Sequence, residues 1–173
     1  MILRIALSFW IILGSALLAS AQTQAPELVG KQWLNPDGKS LSLESLRGKV
    51  TVVHFWTFEC INCRHNLPAY ARLQKKFEKL GVQFIGIHTP ELESERNPDN
   101  VAKAIKELGI TFPVLIDAKM DNWNLWGVRY WPTVFVLDKQ GRVRLRWEGE
   151  LNWQGATGES QVANVIEALL KAK

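Results

Sequence analysis

Cys60 and Cys63 are the only cysteines in the chain, set three apart in the stretch FWTFECINCRHNLPAY at residues 55–70. Two thiols at this spacing can staple a fold, help to hold a metal, or open and close as a redox pair. As a staple the pair is poor. A bridge between them closes a loop of about four residues, and the entropy a bridge removes from the unfolded chain grows with loop length. A structural zinc needs four ligands, commonly two cysteine pairs or one pair with closely spaced histidines, whereas His54, His65 and His88 are scattered. A non-enzymatic copper-type site that adds His88 to the two thiols stays open. Redox exchange is the leading reading, because its first requirement is a thiolate, and the flanking sequence supplies a means of making one.

The elements that must position the pair are legible on both sides. Lys49–Trp56, KVTVVHFW, is rich in β-branched and aromatic residues and follows Gly48, so it reads as a buried strand. From Cys63 onward Leu67, Tyr70, Leu73, Phe77 and Leu80 recur at helical spacing until Gly81 supplies a stop. Cys60 then falls on the strand-to-helix turn, where unpaired N–H groups and the helix dipole stabilise an ionised sulfur and make it the nucleophile. Cys63, one turn further in, is placed to resolve a mixed disulfide. Glu59 opposes ionisation of Cys60, while Arg64 and His65 oppose Glu59; the sign of the sum is left to the structure.

Further strands are expected at 82–88, 111–117 and 131–138, with helices from Asn97-Pro98 to Gly109, at 121–126 and from about Glu159. A turn at Lys139-Gln140-Gly141 leads into RVRLRWEGE, where Arg142, Arg144 and Arg146 alternate as on the solvent face of a strand. Strands joined by helices, then a hairpin and a closing helix, give an α/β fold with a mixed sheet and helices on both faces. Residues 1–21 combine Arg4, an uncharged apolar run and Ala19-Ser20-Ala21, the pattern of an export signal with a cleavage site. A retained membrane anchor is the alternative, and either sends the rest of the chain out of the cytoplasm. Residues 22–173 have the size of one domain. The formal charge of +4 is spread along the chain, so nucleic acid has no basic stripe to bind.

With these residues in hand, the chain resembles the thioredoxin superfamily, above all the thioredoxin-like proteins typified by TlpA and ResA and the soluble domain of DipZ. The resemblance rests on Leu41-Ser42-Leu43 through Leu46-Arg47-Gly48-Lys49, Phe55-Trp56 before the cysteines, Pro68 after them, His88-Thr89-Pro90-Glu91, and Tyr130-Trp131-Pro132. It implies a thioredoxin-like fold with a short N-terminal β extension and a central βα insertion. It implies, too, that Pro132 is cis and lies against the cysteine pair, with Trp131 bordering the substrate surface and Trp56 and Glu59 supporting the site. Pro68 is expected to kink the first helix. The implied activity is exchange of a Cys60–Cys63 dithiol with protein thiols and disulfides, without a bound cofactor or metal, by a monomer reset by a membrane-embedded electron donor. Ile61-Asn62 between the cysteines brings neither charge nor proline, which favours a reductant over a strong oxidant. The interval between the strands at 82–88 and 113–116 is too short for the large helical insertion of DsbA-type oxidants.

Two departures bear on mechanism. His54 stands where thioredoxin carries a buried aspartate, as a proton relay for Cys63 or as a core residue. Asn66 stands where ResA-like proteins carry a glutamate. A second enzymatic reading is a thiol peroxidase, since Thr57-Phe58-Glu59-Cys60 matches the T-x-x-C before a peroxidatic cysteine, although Val53 replaces the usual proline upstream.

Overall fold

A computed structural model of the protein describes residues 23–34 and 40–172, so the expected export signal at 1–21 lies outside the described residues. The strands are β1 (Trp33–Leu34), β2 (Thr51–Trp56), β3 (Gln83–His88), β4 (Val114–Ile116), β5 (Thr133–Leu137) and β6 (Val143–Glu148). The helices are α1 (Ile61–Phe77), α2 (Pro98–Glu107), α3 (Asp121–Leu125) and α4 (Gly158–Lys171). The sheet runs β1-β4-β3-β2-β5-β6, with β2, β3 and β4 parallel and β1, β5 and β6 antiparallel to their neighbours. This is the mixed thioredoxin-like sheet expected. The central insertion is α2–β4, which extends the sheet past β3, and the N-terminal extension β1 then covers the new edge.

Every residue of β2 is buried, because the strand lies mid-sheet with helices above and chain below. Successive side chains alternate between two cores. Val52 and Trp56 face α1, α2 and α4, meeting Tyr70, Leu73 and Phe77 of α1, Val101 of α2 and Ile166 of α4. Val53 and Phe55 face the other way, toward Trp123 of α3, Trp126, Leu43 and Leu46. Each such large apolar side chain contributes about 1.5–3 kcal/mol on leaving water. The two faces are unequal: three helices cover one, and one short helix with the N-terminal segments covers the other.

The helix ends follow their local chemistry. Asn97 caps α2 by accepting the Asp99 N–H at 2.9 Å, and Pro98 occupies its first turn, where a missing N–H costs nothing. Gly81, at φ 84°, ends the 3-10 turn after α1 in a conformation that would strain a side chain. Pro68 lies inside α1, which is continuous through it. β6 alternates as its arginines suggested, with Arg144 and Arg146 outward, and Arg142 pairs with Asp138 at 2.9 Å.

Candidate active site

The end of β2 and the start of α1 meet in a turn of four residues, 57–60, and that turn sets the site. Cys60 is the N-cap of α1: its backbone is extended (φ −69°, ψ 113°) and its Sγ accepts the Cys63 N–H at 3.3 Å. The sulfur thus takes one of the amide groups that a helix leaves unpaired at its start. Its pKa is lowered to about 7, first by a hydrogen bond from the Cys63 thiol, with burial opposing and the N–H groups of Cys63 and Asn62 assisting. The carboxylate that resists ionisation is Glu91. Glu59, expected in that part from sequence, instead pairs with Arg64 at 3.8 Å, while Arg64 Nε donates to the Phe58 carbonyl at 2.6 Å. His65 faces away, with Nδ1 3.2 Å from Glu150 and its ring stacked on Trp153.

Cys63 is the opposite case. It is fully buried, and burial, then its hydrogen bond to Cys60 and the negative charge there, push its thiol far above the ordinary range. Both cysteines are free thiols in this structure. One sulfur is half exposed and easily ionised; its neighbour is sealed and protonated.

Across from the thiols lies the turn before β5. The Trp131–Pro132 bond is cis, the isomer the resemblance implied. Pro132 is buried and its carbonyl accepts the Gly149 N–H at 2.8 Å. Trp131 stacks on Trp123 with ring centroids 3.9 Å apart and donates its indole N–H to the Thr89 carbonyl at 3.0 Å. Cys60, Ile61 and Asn62 on one side and Tyr130 and Trp131 on the other bound an open cleft of ≈ 480 Å³, with Glu91 and Arg129 at its margins. Ile61 and Tyr130 are 60% and 59% exposed, so large apolar side chains stand at the mouth beside the nucleophile. A larger hollow of ≈ 720 Å³ lies by Trp126 and Phe135 on the other face of the sheet and holds neither cysteine.

The remaining sequence candidates separate. Trp56 is a core residue, edge-on to His88 at 5.2 Å, and does not line the cleft. His54 is fully buried against Tyr70 at 4.6 Å, and neither ring nitrogen has a hydrogen-bond partner among the described residues. Burial lowers its pKa to about 3, which keeps the ring neutral, and no hydrogen bond links it to Cys63. Asn66 is structural: it accepts the Leu151 N–H at 2.7 Å and donates to the Gly149 carbonyl at 3.3 Å, tying α1 to the segment after β6. His88 Nε2 lies 3.2 Å from Thr57 Oγ1, and among the described residues no three His, Cys, Asp or Glu side chains converge as a metal site.

Sequence reasoning passed over Glu95. It is fully buried, one oxygen accepting the Glu59 N–H at 2.9 Å and the other the N–H groups of Glu91 and Leu92 at 2.7 Å each, and Thr57 adds a side-chain hydrogen bond. Burial raises its pKa, but these four donors more than offset that and leave it below the usual carboxylate value. The sequence signal for it is slight: a glutamate three residues after Leu92, at the start of a short helical turn.

A parallel core capped by an antiparallel hairpin, with a thiol pair at a helix start facing a cis-proline turn, defines the thioredoxin-like class. The model of the AhpC/TSA family matches residues 21–146. Protein DipZ of Mycobacterium tuberculosis is 41% identical over 133 residues, 76% of this chain but 19% of that protein, so the chain spans about a fifth of that relative. Thiol-disulfide oxidoreductase YkuV of Bacillus subtilis is 30% identical over 121 residues, 69% of this chain and 79% of its own. Among solved structures, a thiol-disulfide isomerase from Corynebacterium glutamicum superposes with a TM-score of 0.67 at 27% identity, covering 86% of this chain and 98% of that one. The chain belongs to the AhpC/TSA family, with a thioredoxin-like domain of the TlpA/ResA type.

Proposed function

We propose that the protein exchanges its Cys60–Cys63 dithiol with disulfides of other proteins outside the cytoplasm, working as a reductant. The observation that carries this reading is the contrast between the two sulfurs: Cys60 half exposed with its pKa near 7, Cys63 buried and held protonated. The Cys60 thiolate attacks one sulfur of a substrate disulfide, the substrate S–S bond breaks, and the departing thiolate takes up a proton. Once Cys60 is in the mixed disulfide its negative charge is gone, and with it part of what kept the Cys63 proton on. Cys63 then gives up that proton and attacks the Cys60 sulfur. The substrate leaves as a dithiol, and two electrons have passed from the enzyme, now carrying a Cys60–Cys63 disulfide.

Resetting the pair needs a two-electron donor, assigned by resemblance to a membrane-embedded protein. Export follows from the signal read at residues 1–21, and among the described residues no helix is long and apolar enough to cross a membrane. The exposed Ile61 and Tyr130 at the cleft favour an unfolded or extended protein chain as the substrate class. The peroxidase reading loses support at Thr57, whose hydroxyl is engaged by His88 and Glu95.

The test is reduction of insulin disulfides by the reduced protein, with and without prior alkylation, beside its rate of peroxide consumption. Alkylation-sensitive insulin reduction with a midpoint potential nearer thioredoxin's ~ −270 mV than DsbA's ~ −120 mV is expected. Fast peroxide consumption with no insulin reduction would overturn the reading.

A further inference from the structure

The carboxylate of Glu95 has no ion-pair partner among the described residues, yet it is fully buried beside the redox turn. A buried charge of this kind persists only where several donors converge on it. The donors come from two segments. Glu59 N–H and the Thr57 hydroxyl belong to the turn that presents Cys60, whereas Glu91 N–H and Leu92 N–H belong to the loop after β3. The Thr57 hydroxyl, which lowers the Glu95 pKa, also lies 3.2 Å from His88 Nε2, so the same side chain touches the buried ring. Glu91 sits at the margin of the cleft.

We propose that Glu95 is a positioning residue: its two oxygens clamp the Thr57–Cys60 turn to the 89–92 loop, fixing at once where the nucleophilic sulfur sits and where the Glu91 margin of the substrate cleft stands. This deepens the dithiol reading above and rests on it for its catalytic meaning. The clamp acts one residue away from Cys60, through the amide of Glu59. Without it the Glu59 N–H loses its side-chain partner from the loop after β3, and of the described side-chain hydrogen bonds of Glu59 and Thr57 the Thr57–His88 contact remains. Cys60 Sγ then spends less time within reach of the Cys63 N–H and thiol, and less time facing the cleft. Misplacement of a reacting group by about 1 Å can cost up to ~100-fold in rate.

The experiment uses the full chain carrying Glu95→Ala or Glu95→Gln, reduced, at 25 °C and pH 7. Three quantities are read: the melting temperature, the rate of Cys60 alkylation by iodoacetamide, and the dithiol–disulfide equilibrium with glutathione. Glu95→Ala is expected to slow alkylation by roughly fivefold or more and to shift the equilibrium toward the disulfide, because the reduced form loses thiolate stabilisation. Glu95→Gln, which keeps one acceptor oxygen in an isosteric side chain, is expected to fall between alanine and the parent. A merely structural glutamate would lower the melting temperature and leave both thiol readouts within twofold of the parent in protein still folded at 25 °C; that result overturns the proposal. If the alanine variant does not fold, the glutamine variant decides by the same criterion. Alkylation needs no partner disulfide, so a parent inactive on insulin would sink the exchange reading while leaving Glu95 to be judged separately.

Discussion

Replacing Cys63 with alanine tests the electrostatics of the site most directly, because the Cys63 thiol is the largest contributor to the low pKa of Cys60. A hydrogen bond to a charged group contributes about 1.5–3 kcal/mol, and ~1.4 kcal/mol is a factor of ten in an acid constant. Deleting that donor raises the Cys60 midpoint from about 7 to between about 8 and 9. Water at the half-exposed sulfur competes for the bond, which favours the lower figure. At pH 7 the thiolate population falls by roughly 5- to 50-fold. A more basic thiolate is the better nucleophile, and with a Brønsted slope of about 0.4–0.5 this returns roughly 3- to 10-fold.

The two effects have opposite pH dependence. Iodoacetamide should modify Cys60 about two- to fivefold more slowly in Cys63→Ala than in the parent at pH 7, and severalfold faster at pH 10. The two rate profiles should therefore cross close to pH 8, within about half a pH value. Stopped-flow or quenched alkylation followed by mass spectrometry, from pH 5 to 10, measures both curves. A variant whose half-maximal pH stays within about 0.3 of the parent would refute the claim that the buried thiol holds its neighbour ionised, and the profiles would then not cross.

The remaining predictions concern the surroundings. Glu91→Gln removes the carboxylate that resists ionisation of Cys60 and should speed alkylation at pH 6 by roughly 1.5- to 5-fold; no acceleration would remove Glu91 from the electrostatics. His54 and His88 are held neutral by burial, with pKa lowered to about 3 and about 4. The unfolded chain protonates both near pH 6.5, so their stability contribution is whole above that value and lost as the pH falls toward 4 and 3. At pH 5 the cost is about 2 kcal/mol for each. His54→Phe should shrink the difference in urea stability between pH 8 and pH 5 by about that amount, and an unchanged difference would mean the ring is not neutral in the fold. Asn66→Ala strands the buried Leu151 N–H and should destabilise by about 1–3 kcal/mol, read as a shift in urea midpoint; alkylation of Cys60 should stay unaltered.

Local signals made the elements around the thiols legible. The β-branched run before Cys60, the Asn97-Pro98 helix start and the glycine at 81 each express a preference of a few neighbouring residues, and the structure follows them to within a residue or two. The two sulfurs were legible for the same reason, since the roles of N-cap and first-turn residue are fixed by three residues of separation. What failed was the assignment of charges to partners. Glu59 is adjacent to Cys60 in sequence, but its side chain is drawn off by Arg64, and the carboxylate that does bear on the sulfur comes from residue 91. Sequence adjacency fixes the backbone path, while direction and burial of a side chain decide what it acts on.

Glu95 carries that distinction furthest. In the string LESERN it is one of two glutamates in a polar stretch, and solvent exposure is the ordinary expectation for such a residue. It is buried because the loop after β3 folds back over the turn after β2, two segments that parallel pairing of β2 with β3 brings to the same end of the sheet. Trp56 pairs with His88 in that register, so the residues just beyond them, 57–60 and 89–95, emerge side by side. The amide groups of both segments then point into a space that water no longer fills, and one ionised carboxylate satisfies three of them together with a hydroxyl. An apolar side chain there would leave those donors unpaired, at a cost of about 1–3 kcal/mol each. The need for a carboxylate at position 95 is thus a consequence of strand register.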